Sequence, residues 1–135
     1  MHYGMCQEGI RLRVFLMCGD AGLCLALRRF FLQEPELTLV GEAADAESCL
    51  TRVNVEQADL LLLDGDLPGL QTADLLLALH RLDDPPKVVV FGRCAKSCRE
   101  ALTAGATAFV CREEPVEQLL LTIEKIGGLS PYFVA

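Results

Sequence analysis

Residues 59–69 (DLLLLDGDLPG) constrain the fold of this chain more than any other stretch. Four consecutive leucines predict a strand that is buried on both faces, because a half-exposed strand would alternate apolar and polar residues. Asp64 ends the run, and Pro68-Gly69 predict a turn after it. Open α/β folds bind ligands beyond the carboxyl ends of such buried strands. Asp64 therefore lies where a ligand would bind, although a turn-capping role for this aspartate is an equal alternative at this point.

Apolar residues along the rest of the chain predict five strands that alternate with five helices. The strands are predicted at residues 12–17, 38–42, 60–63, 87–91 and 108–111. The helices are predicted at residues 23–32, 46–53, 72–82, 95–104 and 116–126. This alternation implies an α/β fold, a doubly wound five-stranded parallel sheet with helices on both faces and right-handed crossovers.

Single residues predict where several of these helices start and stop. Asp45 is a favourable N-cap, and Pro115 suits the first turn of the last helix. Pro35 ends the first helix, since the residue before a proline avoids the helical region. Gly105 is predicted at the C′ position of the fourth helix.

The 135 residues of the chain correspond to one domain. We expect a lead-in at residues 1–10, the domain at residues 11–128, and a tail or the start of a linker at residues 129–135. The formal net charge of −7 argues against nucleic-acid binding by this segment, because phosphate backbones are bound by clustered Lys and Arg. No apolar run approaches the roughly 20 residues of a membrane span. The first ten residues lack a secretory signal pattern, so we expect a cytoplasmic location.

The seven cysteines are predicted to be mostly buried free thiols in a reducing cytoplasm. Their number is odd, and 52% hydrophobic residues allow the chain to fold without disulfides. Cys94 and Cys98 do not have a zinc-ribbon spacing, and no histidine accompanies them. A functional thiol is an alternative, with Cys18 as its best candidate. The cysteines are Cys6, Cys18, Cys24, Cys49, Cys94, Cys98 and Cys111.

Four motifs together resemble the receiver domain of bacterial two-component response regulators. They are residues 60–69 (LLLLDGDLPG), 40–45 (VGEAAD), 101–106 (ALTAGA) and 116–119 (VEQL). The resemblance covers about residues 11–128 and is greatest to receivers that precede a LuxR-type helix-turn-helix. It implies the flavodoxin-like (βα)5 fold of that family and a role in transcription regulation, with a DNA-binding domain after residue 135 in a longer protein.

The resemblance also implies that Asp64 is the equivalent of the phosphorylated aspartate of the family. The family uses four further groups: an acidic pair after the first strand, a Thr or Ser after the fourth, a Lys after the fifth, and the backbone two residues past the aspartate. The corresponding positions of this sequence are Cys18 and Gly19 for the acidic pair, Gly92 for the hydroxyl, Arg112 for the lysine and Asp66 for the backbone.

These departures remove most of the Mg²⁺ site that the family requires. Mg²⁺ demands oxygen ligands in near-octahedral geometry. Cys18 offers a soft sulfur instead, and Gly19 offers no side chain. Without the metal, phosphoryl transfer loses its main neutralising charge. We therefore expect no cofactor, and Asp20, Asp64 and Asp66 are the ligands only under the alternative that Mg²⁺ still binds.

Two further positions change the remaining chemistry. Gly92 has no hydroxyl with which to contact a phosphoryl group, and we expect the pocket beside it to be roomier. Arg112 keeps a positive charge, but its planar guanidinium is not equivalent to the ammonium of Lys. Our favoured hypothesis is a standing ion pair between Arg112 and Asp64 that locks one conformation. A phosphate-sensing Arg112 and an outward-pointing Arg112 are the alternatives.

The sequence therefore predicts an atypical receiver that acts by protein–protein interaction or dimerisation and is not an enzyme. Its partner is another protein or a second copy of the chain, with a small ligand in the altered pocket of Cys18, Asp64, Gly92 and Arg112 as a further option. Two alternatives stay open: phosphorylation on Asp64, and thiol redox sensing through Cys18. The last helix carries apolar residues that serve either the core or a dimer contact: Val116, Leu119, Leu120, Leu121, Ile123 and Ile126.

Overall fold

The structure, a computed structural model, describes residues 12–93 and 95–127. In that part of the chain, the five predicted strands and the five predicted helices are all present. The strands are β1 (Leu12–Met17), β2 (Leu37–Ala43), β3 (Leu60–Asp64), β4 (Lys87–Gly92) and β5 (Ala108–Cys111). The helices are α1 (Ala21–Gln33), α2 (Ala46–Glu56), α3 (Thr72–His80), α4 (Ala95–Thr103) and α5 (Val116–Gly127).

All five strands are parallel and form one sheet in the order β2-β1-β3-β4-β5. Helices α1 and α5 pack on one face of the sheet, and α2, α3 and α4 pack on the other. The predicted doubly wound α/β fold is confirmed. Strand β3 is the middle strand, and each of its four leucines is at most 1% exposed. Because full burial of one leucine contributes about 2 kcal/mol, this strand anchors the core on both faces of the sheet.

The N-terminal ends of the first two helices are set by aspartates. Helix α1 begins two residues before its predicted start, because Asp20 Oδ1 accepts hydrogen bonds from the backbone N–H groups of Gly22 at 2.9 Å and Leu23 at 3.1 Å. Asp45 caps α2 as predicted and accepts a backbone N–H at 2.8 Å. Each carboxylate satisfies donors that have no partner within the helix.

The sequence predicted the C-terminal end of α4 to within one residue but placed the end of α3 two residues too late. Helix α3 ends at His80 and not at Leu82, because the N–H groups of the next two residues bond to carbonyls three positions back. Gly105 follows α4 with φ = +109°, a conformation that glycine adopts at little cost. Its predicted role as the residue that ends this helix is confirmed.

The sheet topology places Asp64 at the centre of its carboxyl edge. In the parallel ladders, Leu63 lies beside Met17 at the end of β1, and Asp64 lies beside Phe91 of β4. The loops after β1, β3 and β4 therefore surround this aspartate, where α/β folds bind ligands.

Two sequence predictions concern the ends of the chain. The lead-in at residues 1–10 and the tail at residues 129–135 lie outside the described residues. Among the helices of residues 12–93 and 95–127, none combines the length and the apolar character needed to cross a bilayer.

Candidate functional site

Asp64 is the buried charged residue at the end of β3, and its side chain is 4% exposed. Its Oδ2 accepts a hydrogen bond from Arg112 Nη2 at 3.0 Å and another from the Gly19 backbone N–H at 3.3 Å. Its Oδ1 accepts the Asp66 backbone N–H at 2.9 Å. Both oxygens are therefore satisfied by protein donors, as a buried carboxylate requires.

Arg112 follows β5 and reaches across β4 to Asp64. Its backbone N–H donates to the Gly92 carbonyl at 2.6 Å, which fixes the start of the loop. The Arg112 Cζ lies 5.3 Å from the Phe91 ring centroid, a distance suited to a cation–π contact. Its Nη1 lies 3.6 Å from Asp66 Oδ2. The ion pair that the sequence predicted between Arg112 and Asp64 is present, and this guanidinium does not point outward.

Arg112 Nε is buried and has no hydrogen-bond partner among the described residues. An unpaired buried donor of this kind costs free energy. The contacts with Asp64, Asp66 and the Phe91 ring thus set the orientation of the guanidinium. In this orientation the Nε–H group makes no hydrogen bond with any of the described residues.

A cavity of about 530 Å³ opens beside the Asp64–Arg112 pair. Its polar side chains are three aspartates and two arginines, and Arg93 lies at its edge with Nε 3.9 Å from Asp66 Oδ2. Cys18 and Gly92, which the sequence predicted in this pocket, do not line it. The lining residues are Gly19, Asp20, Asp64, Asp66, Leu67, Pro68, Arg93 and Arg112.

The expectation of extra room beside Gly92 is wrong. A Cβ at this position would lie 3.2 Å from Phe109 Cζ and 3.4 Å from Asp66 Oδ1. Both contacts are tight, so a side chain at position 92 would require Phe109 or Asp66 to shift by a few tenths of an ångström. The missing side chain of Gly92 therefore leaves little additional space.

Leu67 has a similar relation to Gly19, the second position of the missing acidic pair. A Cβ at Gly19 would lie 2.4 Å from Leu67 Cδ2, and Leu67 itself is buried. A carboxylate at this position would have to displace the leucine methyl group. Any side chain at position 19 therefore requires Leu67 to change its rotamer.

The arrangement of the remaining acidic groups disfavours a Mg²⁺ ion. Asp20 uses Oδ1 to cap α1, and Asp64 Oδ2 already accepts two donors. Asp66 faces the guanidinium of Arg112. A divalent cation at Asp64 would have to share its carboxylate with a guanidinium 3.0 Å away, with like-charge repulsion. Within the described residues, no group of three acidic, histidine or cysteine side chains has the geometry of a metal site.

The cysteines of the described part are all free thiols, and three of the five are buried. Cys18 lines a second cavity together with Cys24 and does not line the cavity of Asp64. Burial and the neighbouring Cys24 thiol raise the pKa of Cys18 to about 12. Cys111 Sγ lies 2.7 Å from Glu113 Oε1, and this contact raises the pKa of the Cys111 thiol and lowers that of the carboxyl. Cys94 lies outside the described residues, so its pairing with Cys98 stays untested.

The apolar residues of α5 divide between core and surface. Leu119, Leu120 and Ile123 are buried against the sheet. Val116 is 45% exposed and Leu121 is 37% exposed. Most of the apolar residues of α5 therefore pack in the core, and two apolar side chains remain exposed on its surface.

Residues 15–124 match the family model described as the response regulator receiver domain. Since this range is most of the chain, the protein belongs to that family. The match, the fold and the position of Asp64 confirm the resemblance that the sequence motifs predicted.

Curated relatives are similar to this chain in sequence, and solved structures are similar to it in fold. The chain is 27% identical over 106 residues to protein-glutamate methylesterase/protein-glutamine glutaminase 1 of Carboxydothermus hydrogenoformans, covering 76% of this chain and 31% of that protein. It is 23% identical over 123 residues to the DNA-binding transcriptional activator EvgA of Escherichia coli K12, covering 87% of this chain and 59% of EvgA. A LuxR-family two-component response regulator from Aurantimonas superimposes with a TM-score of 0.79, at 22% identity, over 91% of this chain and 92% of that one. The chain therefore spans 31% and 59% of the length of these two curated relatives.

Sequence reasoning missed three residues that shape the site: Leu67, Phe91 and Phe109. Each is apolar and was assigned to a strand or turn without a role. A partial signal was present for Leu67, because it lies three residues after Asp64 within the same motif. No sequence pattern predicts that Phe109 would fill the space at Gly92, since that contact joins two strands through their side chains.

Proposed function

We propose that this chain is an atypical receiver domain that acts through protein–protein contacts, including contacts with a second copy, without Mg²⁺-dependent phosphorylation of Asp64. The observation that carries the proposal is the position of the Arg112 guanidinium, 3.0 Å from Asp64 Oδ2. A protein-supplied cation thus neutralises the carboxylate at the place where a receiver needs a metal ion. The pair holds one arrangement of the loops after β3 and β5.

The packing beside this pair supports the same function. Leu67 covers Gly19, and Phe109 lies against Gly92. Because both positions are glycines, position 19 supplies no carboxylate for a metal, and position 92 supplies no hydroxyl for a phosphoryl group. Phosphoryl transfer depends on such positioned charges, so the site lacks the groups that would lower its barrier.

Two alternatives have less support from the geometry. Phosphorylation on Asp64 would require Arg112 to release the carboxylate, to which it is bonded at 3.0 Å. Redox sensing through Cys18 alone is disfavoured because its pKa of about 12 keeps the thiol protonated at neutral pH, and the thiolate is the reactive form.

Beryllofluoride with millimolar Mg²⁺ tests the proposal, since this phosphoryl analogue binds only to a metal-loaded aspartate. The backbone amides of Gly19 and Asp66 donate to the two oxygens of Asp64, so their ¹H–¹⁵N resonances report directly on that carboxylate. We expect both resonances to stay unchanged in the wild-type chain. Saturable shifts of both amides would contradict the proposal.

A variant that restores the missing groups is the positive control. It combines Cys18→Asp, Gly19→Asp, Leu67→Ala and Arg112→Lys, which supplies the acidic pair, the room for it and the family's lysine. We expect beryllofluoride and Mg²⁺ to shift the amide resonances around Asp64 in this variant. An equal response of the wild-type chain and this variant would show that the altered residues do not matter.

The wider context of the domain is part of the same proposal. EvgA, of which the chain covers 59%, is named as a DNA-binding transcriptional activator. We infer from this relative that the receiver belongs to a cytoplasmic transcription regulator whose DNA-binding domain follows residue 135. The receiver itself is non-catalytic, and the exposed Val116 and Leu121 of α5 support a contact with a second copy.

A further inference from the structure

Cys18 and Cys24 form a pair of thiols that line one cavity, separate from the cavity of Asp64. Cys18 follows β1, and Cys24 lies in the first turns of α1. Cys24 Sγ lies 3.4 Å from the Cys18 carbonyl oxygen, and Cys18 Sγ lies 3.6 Å from the Asp20 carbonyl oxygen. These distances place both sulfurs beside the start of α1, and the Cys24 side chain is among the groups that raise the pKa of Cys18.

A cavity of about 430 Å³ leads from the surface to both thiols. Cys18 is 9% exposed and Cys24 is 7% exposed, so the sulfurs lie at the base of the cavity. At its edge Arg28 forms a bidentate ion pair with Glu42, whose second contact, from Nη2 to Oε1, is 2.9 Å long. The pair is held close to the thiols, because both cysteines contribute to the raised pKa of Arg28.

We propose that Cys18 and Cys24 form a two-coordinate site for a soft monovalent d¹⁰ cation, Cu(I). Thiolate sulfur selects soft ions over Mg²⁺ or Ca²⁺. Cys18 in the loop after β1 and Cys24 in α1 offer two sulfurs to such an ion, and the cavity provides an entry path. Arg28 is already paired with Glu42, so the charge of the two thiolates is offset by the copper ion, which displaces their protons. Neither Asp64 nor Arg112 takes part, so this site does not depend on the proposed function.

Binding is a simple ligand exchange. Two S–H bonds break, two copper–sulfur bonds form, and two protons leave to solvent without transfer of an electron. The apparent affinity therefore rises about 100-fold for each pH unit below the thiol pKa values, against about tenfold for a single thiol. This slope distinguishes a paired site from scattered surface cysteines.

The experiment uses the full chain with Cys6, Cys94, Cys98 and Cys111 replaced by serine, so that Cys18, Cys24 and Cys49 remain. Cu(I) is presented anaerobically as its coloured bathocuproine disulfonate complex, and loss of colour measures transfer to the protein. We expect transfer of one equivalent, with the 100-fold dependence on pH.

Cys49→Ala is the matched control, because Cys49 is a buried thiol of α2 whose pKa is also raised to about 12, but by burial without a thiol neighbour. We expect Cys18→Ala and Cys24→Ala each to abolish the transfer and Cys49→Ala to leave it unchanged, with circular dichroism confirming the fold of each variant. Retained transfer in Cys18→Ala or Cys24→Ala, equal loss in Cys49→Ala, or no transfer at all would overturn the proposal. If a variant fails to fold, a tenfold pH slope in the parent chain overturns it as well.

Discussion

Two arginine–carboxylate pairs lie at the same edge of the sheet and differ in burial. Arg28 and Glu42 make a bidentate contact, but their side chains are 45% and 32% exposed. Arg112 and Asp64 make one direct contact, and their side chains are 18% and 4% exposed. The bidentate geometry makes the direct contact of Arg28 with Glu42 the better one. The burial of Arg112 and Asp64, in contrast, raises the cost of breaking their contact.

The comparison teaches that the consequence of losing a partner depends on what replaces it. When Arg28 is removed, water solvates the half-exposed carboxylate of Glu42, so little is lost. When Arg112 is removed, water reaches Asp64 poorly, and a charge remains buried without its counterion. The buried pair is thus the one that holds a conformation.

Replacement of Arg112 by methionine is expected to have the largest effect. Arg112→Met removes the counterion of Asp64 and should lower the free energy of unfolding by about 3 kcal/mol, measured by urea denaturation. The double variant Arg112→Met/Asp64→Leu should recover much of that loss, because it removes the orphaned charge as well. A single-variant cost no larger than that of Arg28→Met would refute the distinction between the two pairs.

A smaller effect is expected at Asp20, whose carboxylate lies between the two pairs in the loop after β1. Asp20→Ala removes the cap of α1 and should cost about 1 kcal/mol in the same denaturation experiment. Asp20→Asn keeps an acceptor oxygen and should cost only a fraction of that. If Asn is as costly as Ala, the charge of Asp20 matters and its assignment as a structural cap is incomplete.

The smallest effect is expected at the exposed pair. Arg28→Met should lower the free energy of unfolding by less than Asp20→Ala does, and the difference from wild type should shrink further at high salt. Denaturation curves at low and high ionic strength measure this. If Arg28→Met costs more than Asp20→Ala and the cost does not depend on salt, the exposed pair behaves like the buried pair and the distinction between them fails.

Most strands and helices of the fold could be predicted from local sequence patterns, because short stretches of sequence show whether a strand is buried on both faces and whether apolar residues have helical spacing. The leucine run of β3 and the cap at Asp45 are examples. The ion pair of Arg112 with Asp64 could also be predicted from the sequence, because both residues lie at strand ends on the same edge of the sheet. The early start of α1 was not predicted, because Asp20 was weighed as a metal ligand and not as a cap.

The parts of the site that were not predicted are contacts between side chains distant in sequence. The ring of Phe109 lies at Gly92, and the methyl group of Leu67 lies over Gly19. A glycine in a sequence shows only that a side chain is missing. Whether the vacated volume stays open is decided by which neighbour packs into it, and that depends on the whole core.

The packing of Leu67 over Gly19 has a consequence for any attempt to engineer an acidic residue into the loop after β1. A Cβ at Gly19 would lie 2.4 Å from Leu67 Cδ2, so Gly19→Asp forces that methyl group to move. Because the methyl group is the end of a flexible side chain, a new rotamer of Leu67 is the way in which the loop can accept the aspartate. Trimming the leucine in advance removes this adjustment, so the two substitutions should not be additive in their effect on stability.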